Sequence, residues 1–262
     1  MKKIFENILS NYLYEKNKSF KNNNLANYIR KDAKEVIEKN MMLNLNKYKI
    51  KGSPGQGGWA IVPWIGLFDL DITDTAENGY YIVYLFQADM KGVYLSLNQG
   101  WTYFKDKYKK KLGRNKIKAT SSYWRNNLSS ILEDFSKDDI DLNYKGNSTD
   151  LPEGYELGHI CGKYYELGKI PEDKELINDL DNLLGIYREL KGKIKNTSIE
   201  DINNAILANE KIDLSKKNNQ NFGKESKSTV NKINKIIDNP KSFELELIDF
   251  EPYDKKFKEN NE

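Results

Sequence analysis

The sequence predicts an α+β fold in which a mixed, curved sheet of about four to six strands is flanked by helices. Apolar residues recur at helical spacing in residues 3–17, 25–43 and 173–190. Between the second and third of these segments, residues 48–97 are rich in glycine, aromatic and β-branched residues, which are typical of strands and turns. The Lys/Asn-rich composition of residues 191–262 indicates a C-terminal extension.

Three strands are predicted in the central segment, at the strings IVPWIGLF, YYIVYLFQ and GVYLSLNQ. Pro63 in the first string has no N–H to donate, so we expect that strand to lie at a sheet edge or to bulge. A turn is predicted at ENG, residues 77–79. Apolar residues at 123–132 indicate another helix, and the string GYELGHICGKYYELGKIP is strand-like.

These patterns predict one domain at residues 1–190, which is within the usual size range. We expect residues 191–262 to form a linker or a small helical or extended appendage. Short helices are predicted there at 198–210 and 226–238, and the string FELELIDFEPYD could add a strand or an extended tail.

The charge balance excludes the strongly basic class of nucleic-acid proteins, because 42 Lys and Arg face 39 Asp and Glu for a formal charge of +3. A nucleic-acid site must therefore come from local clustering. No apolar run in the sequence is long enough to cross a bilayer, and the first residues do not resemble a signal peptide. The chain contains one cysteine. We expect a cytoplasmic protein without disulfides and without membrane partners.

Most catalytic and metal chemistry is also disfavoured, because the chain has one histidine, His159, and one cysteine, Cys161. This pair cannot supply a zinc site of the usual kind, and neither a G-x-S-x-G turn nor a phosphate-binding G-x-x-x-x-G-K-[ST] loop is present. We expect His159 to be a partly buried structural residue. The prediction is a protein without catalytic residues, metal or cofactor.

The informative constellation is a glycine-rich loop beside aromatic strands. Glycines at 52, 55, 57 and 58 permit close backbone approach, and Trp59 follows them directly. Aromatic rings beside such a loop can stack on a nucleobase, although aromatic residues in strands most often form ordinary core. Alternation along the strand places Tyr81 and Leu85 on one face.

The strings GSPGQGGWAIVPWIGLFDLDIT, GYYIVYLF and VYLSLNQG resemble the N-terminal domain of McrB-type restriction enzymes, which reads modified cytosine. The likeness runs from about Ile4 to Leu190. The resemblance implies binding of duplex DNA and rotation of a methylated cytosine into a pocket of aromatic and aliphatic side chains. Carried over to this chain, the pocket residues resemble Trp64, Tyr81 and Leu85.

One family position departs from the pattern, because a tyrosine of the family's glycine-rich loop falls at Gln56 here. This substitution bears on the modification that the pocket accepts. With Trp59 from the same loop, the candidate base pocket comprises Trp64, Tyr81, Leu85, Gln56 and Trp59.

Contacts to the DNA backbone are expected from a basic segment that carries eight basic residues and one acid. Its candidates are Lys105, Lys107, Lys109, Lys110, Lys111, Arg114, Lys116 and Lys118, with Lys51 added because it lies beside the glycine loop. The alternative is a solvated charged segment, since Lys-rich loops are common in Lys-rich proteins. Asn78 and Gln99 could bond a base edge, but strand-end and turn roles are favoured.

The function predicted from the resemblance is a non-catalytic specificity module of a type IV, phage-defence restriction system. It would act with a nuclease or motor on another subunit or domain. One alternative is a metal-dependent nuclease that uses the C-terminal carboxylates Glu244, Glu246, Asp249 and Glu251 with Lys255. Another is a module that binds a nucleotide or a protein through the same aromatic pocket.

Overall fold

A computed structural model describes residues 1–218 except 147 and 196, and from 210 to 218 it describes the backbone alone. It contains a five-stranded sheet whose spatial order is the order of the chain. The strands are β1 (Tyr48–Ser53), β2 (Trp64–Asp69), β3 (Tyr80–Phe86), β4 (Gly92–Gln99) and β5 (Cys161–Glu166). The α+β class and the number of strands are confirmed.

All four strand pairings are antiparallel, so the expected mixture of strand directions is wrong. Strands that are neighbours in both sequence and space can pair antiparallel through short connections, whereas parallel neighbours need a long crossover. The segments that link β1 to β2, β2 to β3 and β3 to β4 contain no helix.

Seven helices flank the sheet within the described residues: α1 (Lys2–Glu15), α2 (Asn24–Arg30), α3 (Asp32–Met41), α4 (Trp101–Asn127), α5 (Leu151–Gly158), α6 (Asp173–Ile194) and α7 (Ile199–Asn218). The segment predicted as one helix over 25–43 is two, because the backbone breaks at Lys31. The helix predicted at 123–132 is the end of α4, which also contains the basic segment.

One face of the sheet carries the main core. Alternate side chains of β3, such as Ile82 and Tyr84, pack against Phe5 of α1 and Leu183 of α6. The rings of Phe5 and Tyr84 have centroids 4.7 Å apart. Helix α7 contributes Ile202 and Ile206 to the same core, and residues Met1–Lys211 form one compact unit. Of the second unit, Ile212–Glu262, the structure describes the backbone of residues 212–218 only.

The opposite face of the sheet carries a smaller apolar cluster that holds the candidate site. Its strand residues are Trp64, Phe68, Tyr81, Val83 and Leu85, and they pack with Val62, Ile140, Leu142 and Tyr155. Residues 139–142 and 150–158 supply the last three of these side chains. Both faces of the sheet are therefore covered.

Two local predictions are corrected. Pro63 lies just before β2, which is an interior strand, because β1 pairs along its outer side. The sequence did not indicate β1, since its alternating lysines, Lys49 and Lys51, give it little apolar character. The GYELG part of the strand-like string belongs to α5, which has Pro152 in its first turn, and the strand begins at Cys161.

The expected helix at 226–238, the expected strand at 243–254 and the carboxylates of the nuclease alternative lie outside the described residues. Among the described helices, none is long and apolar enough to cross a membrane.

Candidate nucleic-acid interface

The fold brings three of the five predicted pocket residues together. Trp64 of β2 pairs directly with Leu85 of β3, and Tyr81 lies four residues earlier on the same face of β3. Their exposed fractions are 9%, 0% and 1%. Trp64 is the member of this trio nearest to solvent, so we take its side chain as the entrance to the site.

Phe68 joins these residues into a continuous aromatic surface. Its ring centroid lies 6.4 Å from that of Trp64 and 5.4 Å from that of Tyr81. Gly66 lies between the two rings of β2, where a Cβ would be 2.7 Å from the Phe68 ring and 3.2 Å from the Trp64 ring. A glycine is required here because any side chain would push the rings apart.

Tyr155 of α5 completes the site from outside the sheet. Its ring packs in the same buried cluster as Trp64, and burial raises the pKa of Tyr155 to about 12. The sequence did not indicate this residue, because it lies in the string assigned to a strand. Pro152 in the LPEG string was the available signal for a helix start.

The hydroxyl of Tyr81 is buried without a hydrogen-bond partner among the described residues. Burial raises the pKa of Tyr81 well above its usual value, so this hydroxyl is neutral. An unsatisfied buried polar group costs about 1–3 kcal/mol. The polar edge of a ligand placed among these rings would remove that cost.

The structure does not bring Trp59 and Gln56 to this cluster. The Trp59 ring packs edge-on against Tyr12 and Phe20, with centroids 5.1 and 5.2 Å away, and its Nε1 donates to the carbonyl of Lys18 at 3.1 Å. Gln56 is exposed in the glycine loop. Trp59 therefore supports the main core.

Most of the predicted DNA-backbone residues are ion-paired within the domain. Lys105 and Lys110 contact Asp150, Arg114 contacts Glu153, Lys118 contacts Asp139, and Lys107 contacts Glu200. The carboxylates of Asp139, Asp150 and Glu153, which follow the basic segment in the chain, therefore lie against it. The sequence did not indicate these ion pairs, because the two partners of each pair are far apart in the chain.

Four lysines remain without an ion pair to the part of the chain that the structure describes: Lys51, Lys109, Lys111 and Lys116. Lys109 has φ +62° and interrupts α4, and both it and Lys111 are exposed. Lys51 of β1 lies directly opposite Gly66 of β2 in the sheet, so its side chain projects on the same face as that of Trp64. These four are the available candidates for phosphate contacts.

The lone histidine belongs to a buried polar network. His159 is 1% exposed, its Nδ1 lies 2.7 Å from the Ser96 hydroxyl, and burial followed by nearby Arg125 lowers its pKa to about 3. Asn98 contributes to this network by donating to Ser96 and to the Tyr155 carbonyl. The histidine is more deeply buried than expected and is neutral at physiological pH.

The other polar residues considered from the sequence also have partners inside the fold. Gln99 contacts the carbonyl of Ile117 and the hydroxyl of Ser121, and Asn78 accepts from the N–H of Gly79. Burial raises the pKa of Cys161 to about 12. Within the described residues, no cluster of His, Cys, Asp or Glu could hold a metal ion.

The family model described as the MrcB-like, N-terminal domain matches residues 7–192. The chain belongs to this family. The matched range of the MrcB-like domain includes all five strands, the aromatic cluster and the basic helix α4. The family assignment confirms the resemblance and indicates a module of a type IV restriction system. No curated protein matches the chain.

Proposed function

We propose that this MrcB-like domain is a non-catalytic reader that recognises modified cytosine in duplex DNA by rotating the base into the aromatic cluster. The observation that supports the proposal is the convergence of Trp64, Tyr81 and Leu85 on one sheet face, with a buried, unpartnered hydroxyl among them. Tyr155 and Phe68 add walls to the proposed pocket. Trp59 packs against the main core and Gln56 is exposed in the glycine loop, so neither is part of the proposed pocket.

The energies of the proposed step are balanced. Extruding a base costs a few kcal/mol, and stacking on an aromatic side chain returns about 1–3 kcal/mol per base. One extra methyl contact distinguishes methylated from unmodified cytosine by about 1–3 kcal/mol. The expected reader therefore has moderate discrimination.

Phosphate contacts supply the affinity for any duplex. If Lys51, Lys109, Lys111 and Lys116 each neutralise one phosphate, the logarithm of the binding constant falls with the logarithm of salt concentration with a slope of about −3 to −4. Eight or nine free cations would give a slope about twice as steep.

A reader of this kind needs an effector. The described residues contain no metal cluster, and the chain has no phosphate-binding loop, so we propose that a nuclease or motor on another subunit or domain performs cleavage in the cytoplasm. The C-terminal nuclease alternative predicts instead that the purified chain cuts methylated plasmid when magnesium is added.

The deciding experiment is titration of the full chain with matched duplexes that carry cytosine, 5-methylcytosine or 5-hydroxymethylcytosine. We expect binding to all three at low salt, and about 5- to 100-fold tighter binding to a modified duplex. Trp64→Ala abolishes the preference, whereas Trp59→Ala, which lies in the main core, keeps it. Absence of DNA binding at low salt would overturn the proposal.

A further inference from the structure

Two short segments, residues 139–142 and 150–158, lie over the strand residues of the proposed pocket, and we call them the cover. Ile140, Leu142 and Tyr155 of the cover pack on the sheet residues of the proposed pocket. The two segments are joined, because the backbone N–H of Leu142 donates to the Glu156 carboxylate at 2.8 Å. A base cannot reach Tyr81 unless the cover moves, since Tyr81 is 1% exposed.

The cover is fastened by cations of α4. Asp150 lies 3.4 Å from the Lys105 amine and 3.0 Å from that of Lys110. Glu153 accepts a hydrogen bond of 2.8 Å from Nη2 of Arg114, and its other oxygen lies 2.8 Å from Nε of the same guanidinium. The segment at 139–142 is held in the same way, because Asp139 is paired with both Lys118 and Arg125 of α4. Four of the nine basic residues predicted to bind DNA thus hold the cover.

Helix α5 connects these ion pairs to the pocket. Glu153 and Tyr155 are two positions apart, about 200° around a helix, so one faces α4 while the other contacts Trp64. Neutral hydrogen bonds hold the far end of α5, from Asn98 to the Tyr155 carbonyl and from Ser121 to the Leu157 carbonyl. The charged end of α5 can tilt about this held end.

We propose that DNA phosphates open the base pocket by taking the α4 cations away from the cover. This inference rests on the proposed function. Lys109, Lys111 and Lys116 are free to make the first contacts to a duplex, which brings phosphates to Lys110 and Arg114. Asp150 and Glu153 then lose their partners and face the DNA charge, so the charged end of α5 tilts away from α4 and loosens the packing of the Tyr155 ring on Trp64.

The coupling gives the domain a way to sample bases only when DNA is bound. Without DNA, the ion pairs hold the cover on the aromatic cluster. On any duplex the cover loosens, and a modified base is then retained by the pocket. Since each exposed ion pair shifts an equilibrium by at most about fivefold, several pairs acting together are needed for a useful change.

Hydrogen exchange of the α5 amides in the full chain tests the coupling. We expect an unmodified duplex at low salt to speed exchange of amides 154–158 by about two- to tenfold, the opposite of the slowing that ordinary contact produces. Glu153→Gln removes one of these ion pairs, so it speeds exchange in the free protein by a smaller factor, at most about fivefold. Its matched control, Glu200→Gln, removes a carboxylate that pairs with Lys107 but lies outside the cover, and leaves the exchange of α5 unchanged.

Unchanged or slower exchange of α5 on a duplex that binds overturns the coupling and leaves the proposed function standing. Equal effects of Glu153→Gln and Glu200→Gln also overturn it, because the cover would then have no special connection to α4. Failure of the proposed function gives a different result, the absence of duplex binding, and removes the coupling with it. Asp150→Asn repeats the test should Glu153→Gln unfold.

Discussion

Tyr81 and Tyr84 of β3 lie on opposite faces of the sheet. The hydroxyls of Tyr81 and Tyr84 are both buried without a partner among the described residues, but the rings lie in different clusters. Tyr84 packs on Phe5 in the main core, whereas Tyr81 packs on Phe68 in the proposed pocket. The two positions form a natural matched pair.

Replacing each tyrosine by phenylalanine separates a pocket role from a packing role. Because the hydroxyl removed is unsatisfied, we expect neither change to lower the free energy of unfolding by more than about 1 kcal/mol. Tyr81→Phe is expected to weaken binding of a methylated duplex about 3- to 30-fold through a lost hydrogen bond to the base. Tyr84→Phe should leave it unchanged, and equal binding by both variants contradicts the pocket assignment.

His159 makes stability depend on pH. Its folded pKa, about 3, lies below the unfolded value of 6.5, so the unfolded chain takes up a proton first as the pH falls. The contribution is complete above pH 6.5 and is lost progressively towards pH 3. Urea unfolding should show a loss of about 2 kcal/mol between pH 7.5 and 5.

The control for this titration is His159→Gln, which removes the only histidine. Burial raises the pKa of Glu156, which favours the folded state as its carboxyl takes up a proton, so the wild-type curve contains both effects. The difference between the wild type and His159→Gln isolates the histidine. A difference that does not change with pH contradicts a buried, neutral imidazole.

At the scale of elements, α4 combines free and paired cations in one helix. A cation that exchanges a carboxylate for a phosphate leaves that carboxylate to take up a counterion, so the exchange adds little to the salt dependence of binding. The free lysines therefore determine most of the slope.

Two triple variants of equal charge test this division of α4. We expect replacement of Lys109, Lys111 and Lys116 by Gln to reduce the magnitude of the salt slope by about 2 to 3. Replacement of the paired Lys105, Lys107 and Lys118 by Gln should change it by less than about 1. Equal slopes for both variants, measured by titration from low to moderate salt, contradict the assignment of free and paired lysines.

Local patterns predicted most elements, and long-range contacts account for the rest. The strands β2, β3 and β4 follow from alternating apolar strings, and α1 and α6 from helical spacing. The polar strand β1 was not predictable, because its pairing with β2 overrides its weak local preference. The ion pairs of α4 with Asp150 and Glu153 join residues about 40 positions apart, which no periodicity indicates.

The same distinction holds for the candidate site. Alternation predicted that Tyr81 and Leu85 share a face, and the family resemblance added Trp64 to the candidate pocket. The structure places the three side chains in one cluster. Trp59 was grouped with them because it is near in sequence, but the loop between β1 and β2 turns it towards Tyr12. Tyr155 was missed because it reaches the pocket from a distant helix.

At the scale of the whole molecule, the open question is where the domain ends. Composition predicts a division at residue 190, and that division stays a prediction. In the structure α7 buries Ile202, Ile206 and Leu207, and the Tyr80 hydroxyl donates to Asn203 at 2.7 Å. The compact unit extends to Lys211, so α7 covers part of the main core.

Truncation decides between the two boundaries. Burial of an Ile or Leu side chain contributes about 1.5–3 kcal/mol, and the ordering of about a dozen residues offsets much of the sum for α7. We expect a chain of residues 1–211 to match the thermal midpoint of the full protein, and residues 1–194 to lose a few kcal/mol of stability because the core around Tyr80 becomes exposed. A chain of residues 1–194 that unfolds at the same temperature as 1–211 would show instead that α7 is an appendage, as composition predicts.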